Sequence, residues 1–122
     1  MQNCNSKFKS DLLGRCYSFS LCIINLSEQL PNKRSANIIL NQLVRSATSI
    51  GANLVEGRAA SSRLEFKKFY EISLKSANET KYWLELLRDA KIIEVGRINV
   101  ILAEAVEISK MLAKSVMTLK GK

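Results

Sequence analysis

The stretch LVRSATSIGANLVEG, residues 43–57, decides the fold of this 122-residue chain. Its apolar residues recur at steps of three and four, which predicts a helix. Most of the residues between them are small. Such residues are poor helix formers, and Gly51 alone costs about 1 kcal/mol relative to alanine in a helix interior. A sequence tolerates that cost where two backbones must come close. We therefore expect this helix to pack tightly against a neighbouring helix.

Patterns of the same period continue on both sides of this stretch. They predict four helices, at about residues 6–29, 33–57, 63–90 and 95–119. Pro31 ends the first helix, and the capping-box sequence SRLE begins the third. Long helices joined by short loops pack antiparallel against their sequence neighbours. We therefore predict one all-α domain over residues 1–122, an antiparallel up-down-up-down four-helix bundle.

The first and third helices carry a second apolar stripe beside the first one. One interpretation is a wide core within a single bundle. The other is that the extra stripe packs against another subunit, since large exposed apolar patches usually mark interfaces. On the polar face of the third helix, Lys67 and Glu71 are spaced to form an ion pair.

The composition favours a soluble, non-catalytic protein. The longest apolar run is only four residues, and the amino terminus lacks the apolar region of a secretory signal, so we expect a cytoplasmic protein without membrane contact. The chain has no histidine, no glycine-rich phosphate loop and no Glu-x-x-His pair, so no catalytic, cofactor, metal or small-molecule substrate site is expected. Cys16 and Cys22 are expected to be small buried hydrophobes rather than halves of a disulfide, and Cys4 leaves an odd number.

Positive charge is concentrated in one part of the chain. The net charge is +8, and residues 31–68 alone hold seven basic and two acidic residues. The candidate nucleic-acid contacts form a cluster at the junction of the second and third helices and a pair at the start of the second: Arg58, Arg63, Lys67, Lys68, Lys33 and Arg34. The cluster is either a patch that contacts phosphates of RNA or DNA, with Arg63 near the amino terminus of the third helix, or simply a solvated turn.

Polar residues also interrupt the small-residue helix. Arg45, Asn53 and Glu56 share roughly one side of it. They are either a functional site or a buried hydrogen-bonded network, in which Arg45 pairs with Glu56 or with a carboxylate such as Glu79. Among the aromatic residues, only Tyr82 is expected on the polar side, where it could stack on a base.

Two motifs carry a family resemblance. They are RSA-x-SI-x-AN-x-x-EG at residues 45–57 and NET-x-YWLELL at residues 78–87. Together they resemble the 23S rRNA intervening-sequence protein family, often labelled "four helix bundle protein", over about residues 8–119. The chain is also similar to the accessory variability protein of diversity-generating retroelements, a basic pentamer that binds nucleic acid and a reverse transcriptase. Many members carry proline where this chain has Gly51.

The resemblance implies a small bacterial protein that assembles into a barrel-like homopentameric ring of bundles. Combined with the positive charge, the resemblance favours a non-catalytic homo-oligomer that binds RNA or DNA without sequence preference. The expected partners are therefore further copies of the chain and a nucleic acid. The alternative is a protein-interaction or assembly scaffold with no nucleic-acid role, whose basic character serves solubility or an acidic protein partner.

Overall fold

The computed structural model describes residues 11–121 as a bundle of four helices. In chain order the helices are α1 (Leu12–Gln29), α2 (Arg34–Arg58), α3 (Arg63–Asp89) and α4 (Val95–Lys120). Over this part of the chain there is no strand. Consecutive helices contact each other, most extensively α2 and α3, and α1 also contacts α4. The predicted four-helix bundle is confirmed.

The first helix starts later than the apolar pattern predicted. Asp11 has an extended backbone conformation, and its carboxylate accepts a hydrogen bond of 2.8 Å from the backbone N–H of Gly14. This is an N-cap, so α1 begins at Leu12, and the predicted helical residues 6–10 lie outside the described part of the chain. The other three helices begin and end within one residue of the predicted positions, because their ends carry the local signals that sequence analysis can recognise.

The core follows the predicted three-four spacing on every helix. Its largest fully buried apolar side chains come from all four helices: Phe19, Ile23, Leu26, Leu43, Ile50, Leu54, Leu84, Leu87, Ile98, Ile108 and Leu112. Each such side chain stabilises the fold by about 1.5–3 kcal/mol relative to full exposure.

Small residues bring α2 and α3 close together. The hydroxyl of Ser73 on α3 donates to the backbone carbonyl of Ile50 on α2 at 2.7 Å. The hydroxyl of Thr80 lies 2.9 Å from that of Ser46, and both residues are fully buried. A hydrogen bond from a side chain of one helix to the backbone of the next requires short side chains at the contact, because longer ones would hold the two helices apart. The expectation that residues 43–57 allow close helix packing therefore holds, and α3 is the neighbour.

Gly57 and Gly51 of α2 have different surroundings. Gly57 lies near the end of α2, and a Cβ there would meet the Cβ of Phe69 at 3.2 Å and the ring of Tyr70 at 3.3 Å. A Cβ on Gly51 would lie 3.5 Å from the Cβ of Cys16, which is ordinary van der Waals contact. Close approach therefore requires the glycine at position 57, whereas position 51 has room for alanine.

The turn between α3 and α4 contains the only non-glycine residue of the described chain with a positive φ. Lys91 has φ 61°, and two hydrogen bonds of 3.0 Å close the end of α3, from Lys91 N to Arg88 O and from Ile92 N to Leu87 O. This is the Schellman arrangement, which normally places glycine at the left-handed position. Ile93 is buried just beyond it and ties the turn to the core.

The two cysteines of α1 differ. Cys16 is a free, fully buried thiol, as expected. Cys22 is also buried but is disulfide-bonded, so the expectation of an unbridged residue is wrong there. Cys4 lies outside the described residues. None of the four helices is both long enough and apolar enough to cross a membrane, over the part of the chain that the structure describes.

Candidate nucleic-acid interface

The four basic residues predicted at the junction of α2 and α3 lie together at one end of the bundle. Arg58 is the last residue of α2 and Arg63 the first of α3, with Lys67 and Lys68 one turn further on. Arg58, Arg63 and Lys68 are exposed and Lys67 is half-buried. We call these four residues the α2–α3 basic end.

No residue of the α2–α3 basic end forms an ion pair with any residue between 11 and 121. The predicted pair between Lys67 and Glu71 is wrong, because Glu71 instead lies 3.7 Å from Lys120 of α4. Arg63 donates one hydrogen bond, of 3.4 Å, to the carbonyl of Leu119. Since a guanidinium has five N–H donors, Arg63 retains most of its capacity to bind an anion.

The amino terminus of α3 is capped by side chains of the chain itself. The Ser62 hydroxyl accepts from the backbone N–H of Glu65 at 3.1 Å, and the Glu65 carboxylate accepts from the N–H of Ser61 at 3.1 Å. The helix end is therefore capped by the chain's own hydroxyl and carboxylate. The Glu65 carboxylate also places a negative charge in the first turn of α3, which opposes a second anion there.

Lys33 and Arg34 lie at the opposite end of the bundle. The α2 helix has 25 residues, which separates its two ends by about 37 Å. Both residues are exposed and neither is ion-paired within the described chain. The six basic residues of the sequence prediction therefore form two separate groups.

The predicted polar network is only partly assembled. Arg45 forms an ion pair with Glu79 across α2 and α3, and Glu79 also accepts a 3.0 Å hydrogen bond from the indole N–H of Trp83. Asn53 instead donates to the carbonyl of Ser49 on its own helix at 2.8 Å. Glu56 is exposed, and its carboxylate has no hydrogen bond or ion pair within residues 11–121.

This arrangement is not a buried network. The Arg45 and Glu79 side chains are 53% and 36% exposed, so the pair is a surface contact between two helices. Pairs of this kind contribute at most about 1 kcal/mol.

Sequence reasoning missed the one strongly buried ion pair of the described chain. Arg15 of α1 donates to the Glu104 carboxylate of α4 from Nε at 3.1 Å and from Nη2 at 2.6 Å. The side chains are 23% and 2% exposed. A third donor of Arg15 lies 3.6 Å from the sulfur of Met111. The available signal was a glutamate directly beside Ala105 on the apolar stripe of α4, where a charge needs a partner.

The Arg15–Glu104 pair affects the groups around it. The hydrogen bonds that Arg15 donates to Glu104 raise the pKa of Arg15 still further, despite its partial burial. Burial, reinforced by the negative charge of Glu104, raises the pKa of the Cys16 thiol to about 12. Cys16 is therefore a protonated, inert thiol at neutral pH and not a nucleophile.

An aromatic pair lies beside the α2–α3 basic end. The rings of Phe66 and Tyr70 are stacked, with centroids 4.6 Å apart and planes inclined by 15°. Phe66 is half-buried and Tyr70 is buried, and both line open cavities between α3 and α4. Tyr82 is 55% exposed, as expected from its place in the pattern, and its ring packs edge-on against Trp83.

The outer face of α1 and α2 has a different character. A groove of about 220 Å³ runs between the two helices and is lined only by uncharged residues: Leu13, Tyr17, Ser20, Thr48, Gly51, Ala52 and Val55. Tyr17 is 66% exposed and Val55 53%. In a chain with net charge +8, an uncharged groove with exposed apolar residues has the character of a contact surface. We call it the α1/α2 groove.

The described residues offer little to a cofactor or metal. Within residues 11–121, no three side chains of the metal-binding types His, Cys, Asp and Glu converge on one point. The carboxylate of Glu94 is occupied as the N-cap of α4, where hydrogen bonds from the N–H groups of Gly96 and Arg97 lower its pKa. The chemistry at hand is that of cations, hydroxyls and an aromatic surface, which suits binding.

Comparisons with known proteins agree with the motifs at residues 45–57 and 78–87. The family model of the 23S rRNA-intervening sequence protein matches residues 9–114. Among solved structures, a Bacteroides thetaiotaomicron protein of unknown function from the S23 ribosomal protein family is 37% identical, with a TM-score of 0.82. That match covers 87% of this chain and 98% of the other. A comparison with curated proteins finds no match. The chain belongs to the 23S rRNA-intervening sequence protein family.

Proposed function

We propose that this protein is a non-catalytic, cytoplasmic homo-oligomer that binds RNA or DNA through phosphate contacts made by the α2–α3 basic end. The observation that carries the proposal is that these four cations lie together and that none is neutralised by a carboxylate of the described chain. Contacts of this kind recognise the phosphate backbone and not the base sequence. The Lys33–Arg34 pair at the far end is not required for this binding.

Self-association strengthens such binding. One basic end contacts only a few phosphates, but an oligomer repeats it, and linked weak contacts can raise the overall affinity by a factor of about 10²–10⁴. The α1/α2 groove supports a second copy as its occupant, because two chains of net charge +8 meet with least repulsion where neither presents a charge. The proposed oligomer is the pentamer that the family resemblance implies.

Gel shifts over a salt series test the nucleic-acid proposal. We expect the protein to bind structured RNA and duplex DNA of unrelated sequence, with an affinity that falls steeply as salt rises. Each phosphate contact to duplex DNA contributes about −0.9 to the slope of log K against log salt. Replacing Arg58 and Lys68 by glutamine should reduce that slope by up to about 2.

The matched control replaces Lys33 and Arg34 by glutamine, which removes the same charge from the opposite end. We expect this variant to bind like the wild type. An equal loss of affinity in the two variants would show that the net charge of the protein, and not the α2–α3 basic end, governs binding. No binding of any nucleic acid at low salt would reject the proposed function.

The alternative function, a protein-interaction scaffold, is supported by the same uncharged α1/α2 groove if a different protein occupies it. A partner that co-purifies after nuclease treatment, and that is lost when Tyr17 is replaced by glutamate, would favour this alternative. Loss of all partners on nuclease treatment would favour nucleic-acid binding.

A further inference from the structure

We propose that the groove between the first turns of α3 and the last turns of α4 receives an unstacked base of a single-stranded nucleic acid, which stacks on Phe66. This inference rests on the proposed function and adds the class of ligand to it. We call the site the Phe66 groove.

The Phe66 groove consists of two adjoining open cavities of about 380 and 330 Å³. Phe66 and Leu119 line both, so the cavities adjoin at these two side chains. The remaining lining residues of the first are Ala60, Ser61, Ser62 and Arg63, and those of the second are Tyr70, Lys114, Ser115 and Thr118. These volumes lie at the lower end of the range for small-molecule pockets, which suits a single base.

The aromatic pair provides a platform for stacking. Phe66 and Tyr70 already form a parallel stack with a centroid separation of 4.6 Å. The first cavity is lined by Phe66 but not by Tyr70, so a ligand there can contact Phe66 without contacting Tyr70. A flat ring that lies against the face of Phe66 from this cavity would be the third member of the stack. Stacking of a base on a protein aromatic ring changes affinity by about tenfold or more and requires no particular base.

The charges around the groove favour an anionic ligand over an apolar one. Arg63 lines the first cavity and Lys114 the second, and neither has an ion-pair partner within residues 11–121. The nearby carboxylates are engaged: Glu65 accepts from the Ser61 N–H at 3.1 Å, and Glu71 lies 3.7 Å from Lys120. A cation on each side of an aromatic surface matches a residue of a nucleic-acid strand, in which a sugar carries a planar base and is linked to a phosphate on either side.

The same geometry disfavours duplexes for this contact. A base in a duplex is paired and stacked on both faces, so it cannot enter a groove or stack on Phe66 without being extruded, which costs several kcal/mol in the absence of a mismatch. A single strand presents its bases already unstacked. The α2–α3 basic end alone would bind both forms, so a preference for single strands is the specific signature of the Phe66 groove.

A comparison of two oligomers isolates the stacking contribution. We would measure binding of fluorescently labelled dT12 and of an abasic 12-mer with the same number of phosphates, at one low salt concentration. The wild type should bind dT12 about tenfold more tightly than the abasic chain. Phe66→Leu, which keeps an apolar side chain in the groove, should remove that difference and leave abasic binding unchanged. Tyr82→Leu, which removes an exposed aromatic ring of α3 outside the groove, should keep the difference.

Each other outcome has a definite meaning. Equal binding of dT12 and the abasic chain by the wild type would overturn the Phe66 groove while leaving the proposed function intact, and this arm needs no variant to fold. Binding of neither oligomer nor of duplex DNA would reject the proposed function itself. A 12-residue polyglutamate that binds as tightly as dT12, with the same dependence on Phe66, would overturn the inference by showing an acidic-peptide site.

Discussion

At the scale of single residues, two glycines of α2 lie six positions apart and have different surroundings. The sequence drew attention to Gly51, because a glycine among other small residues suggests close packing. The backbone around Gly51 nevertheless leaves a normal distance to Cys16, whereas Gly57 faces the Cβ of Phe69 and the ring of Tyr70. The Cβ of Phe69 is attached to the backbone and cannot swing away. Close approach of α2 and α3 therefore depends on position 57.

Alanine substitutions at the two glycines should have opposite effects on stability. Gly51→Ala gains helix propensity without a clash and should raise the free energy of unfolding by up to about 1 kcal/mol. Gly57→Ala gains the same propensity but forces α3 outward, and overpacking of this kind costs about 1–3 kcal/mol, so the net effect should be destabilising. Urea unfolding, monitored by Trp83 fluorescence at fixed protein concentration, measures the free energy of unfolding of both variants. A Gly51→Ala variant as unstable as Gly57→Ala would contradict this.

At the scale of elements, α1 is the helix least tied to the others by packing. It has 18 residues, against 25 to 27 in its neighbours, and its contact with α4 is the smallest in the bundle. The Arg15–Glu104 pair lies in that contact. A buried pair contributes little net stability compared with apolar residues, but removing one member leaves the other charge buried without compensation. The pair therefore sets the alignment of α1 on α4 more than it sets the strength of their association.

A double-substitution series tests this role of the Arg15–Glu104 pair. Arg15→Met leaves the Glu104 carboxylate buried and should destabilise the protein by about 3 kcal/mol. Adding Glu104→Met replaces the pair by two apolar side chains and should restore the stability to within about 1 kcal/mol of the wild type. Chemical denaturation of the wild type, both single variants and the double variant gives the coupling energy. A double variant that is less stable than the wild type by clearly more than about 1 kcal/mol would show that the pair is net stabilising.

At the scale of the whole molecule, the surface divides into regions of different chemistry. Unpaired cations occupy the two ends of the bundle, and the Phe66 groove opens between α3 and α4 near the α2–α3 basic end. The α1/α2 groove lies on an outer side and is uncharged. The α1/α2 groove contains no residue of the basic ends or of the Phe66 groove, so a contact made through it does not cover these two sites.

Light scattering tests the assembly. We expect the wild type at micromolar concentration to have a mass that is a multiple of the monomer mass of 13.7 kDa. Tyr17→Glu, which places a charge in the α1/α2 groove, should shift the protein towards the monomer. Tyr82→Glu is the matched control, because it adds the same charge at a tyrosine of similar exposure on α3, and it should leave the mass unchanged. A strictly monomeric wild type would reject both the oligomer and the ring.

The sequence by itself determined the number of helices, most of their ends and the excess of positive charge. These properties depend on residues within a few positions of one another: the three-four apolar spacing, the proline after α1 and the capping box before α3. The predicted helix end is less accurate where a cap, and not the apolar spacing, marks it. The start of α1 is set by the capping residue Asp11, and apolar spacing alone does not reveal such a cap.

Only the tertiary structure decided which side chains meet. Arg15 and Glu104 are 89 positions apart, and Arg45 and Glu79 are 34. Each contact depends on how far each helix is rotated about its own axis, and a rotation of one residue, about 100°, carries a side chain to another face. The same dependence separated Asn53 and Glu56 from the Arg45–Glu79 pair and created the Phe66 groove. Periodicity shows which face of a helix is buried, but the rotation that pairs particular polar groups arises only when all four helices pack together.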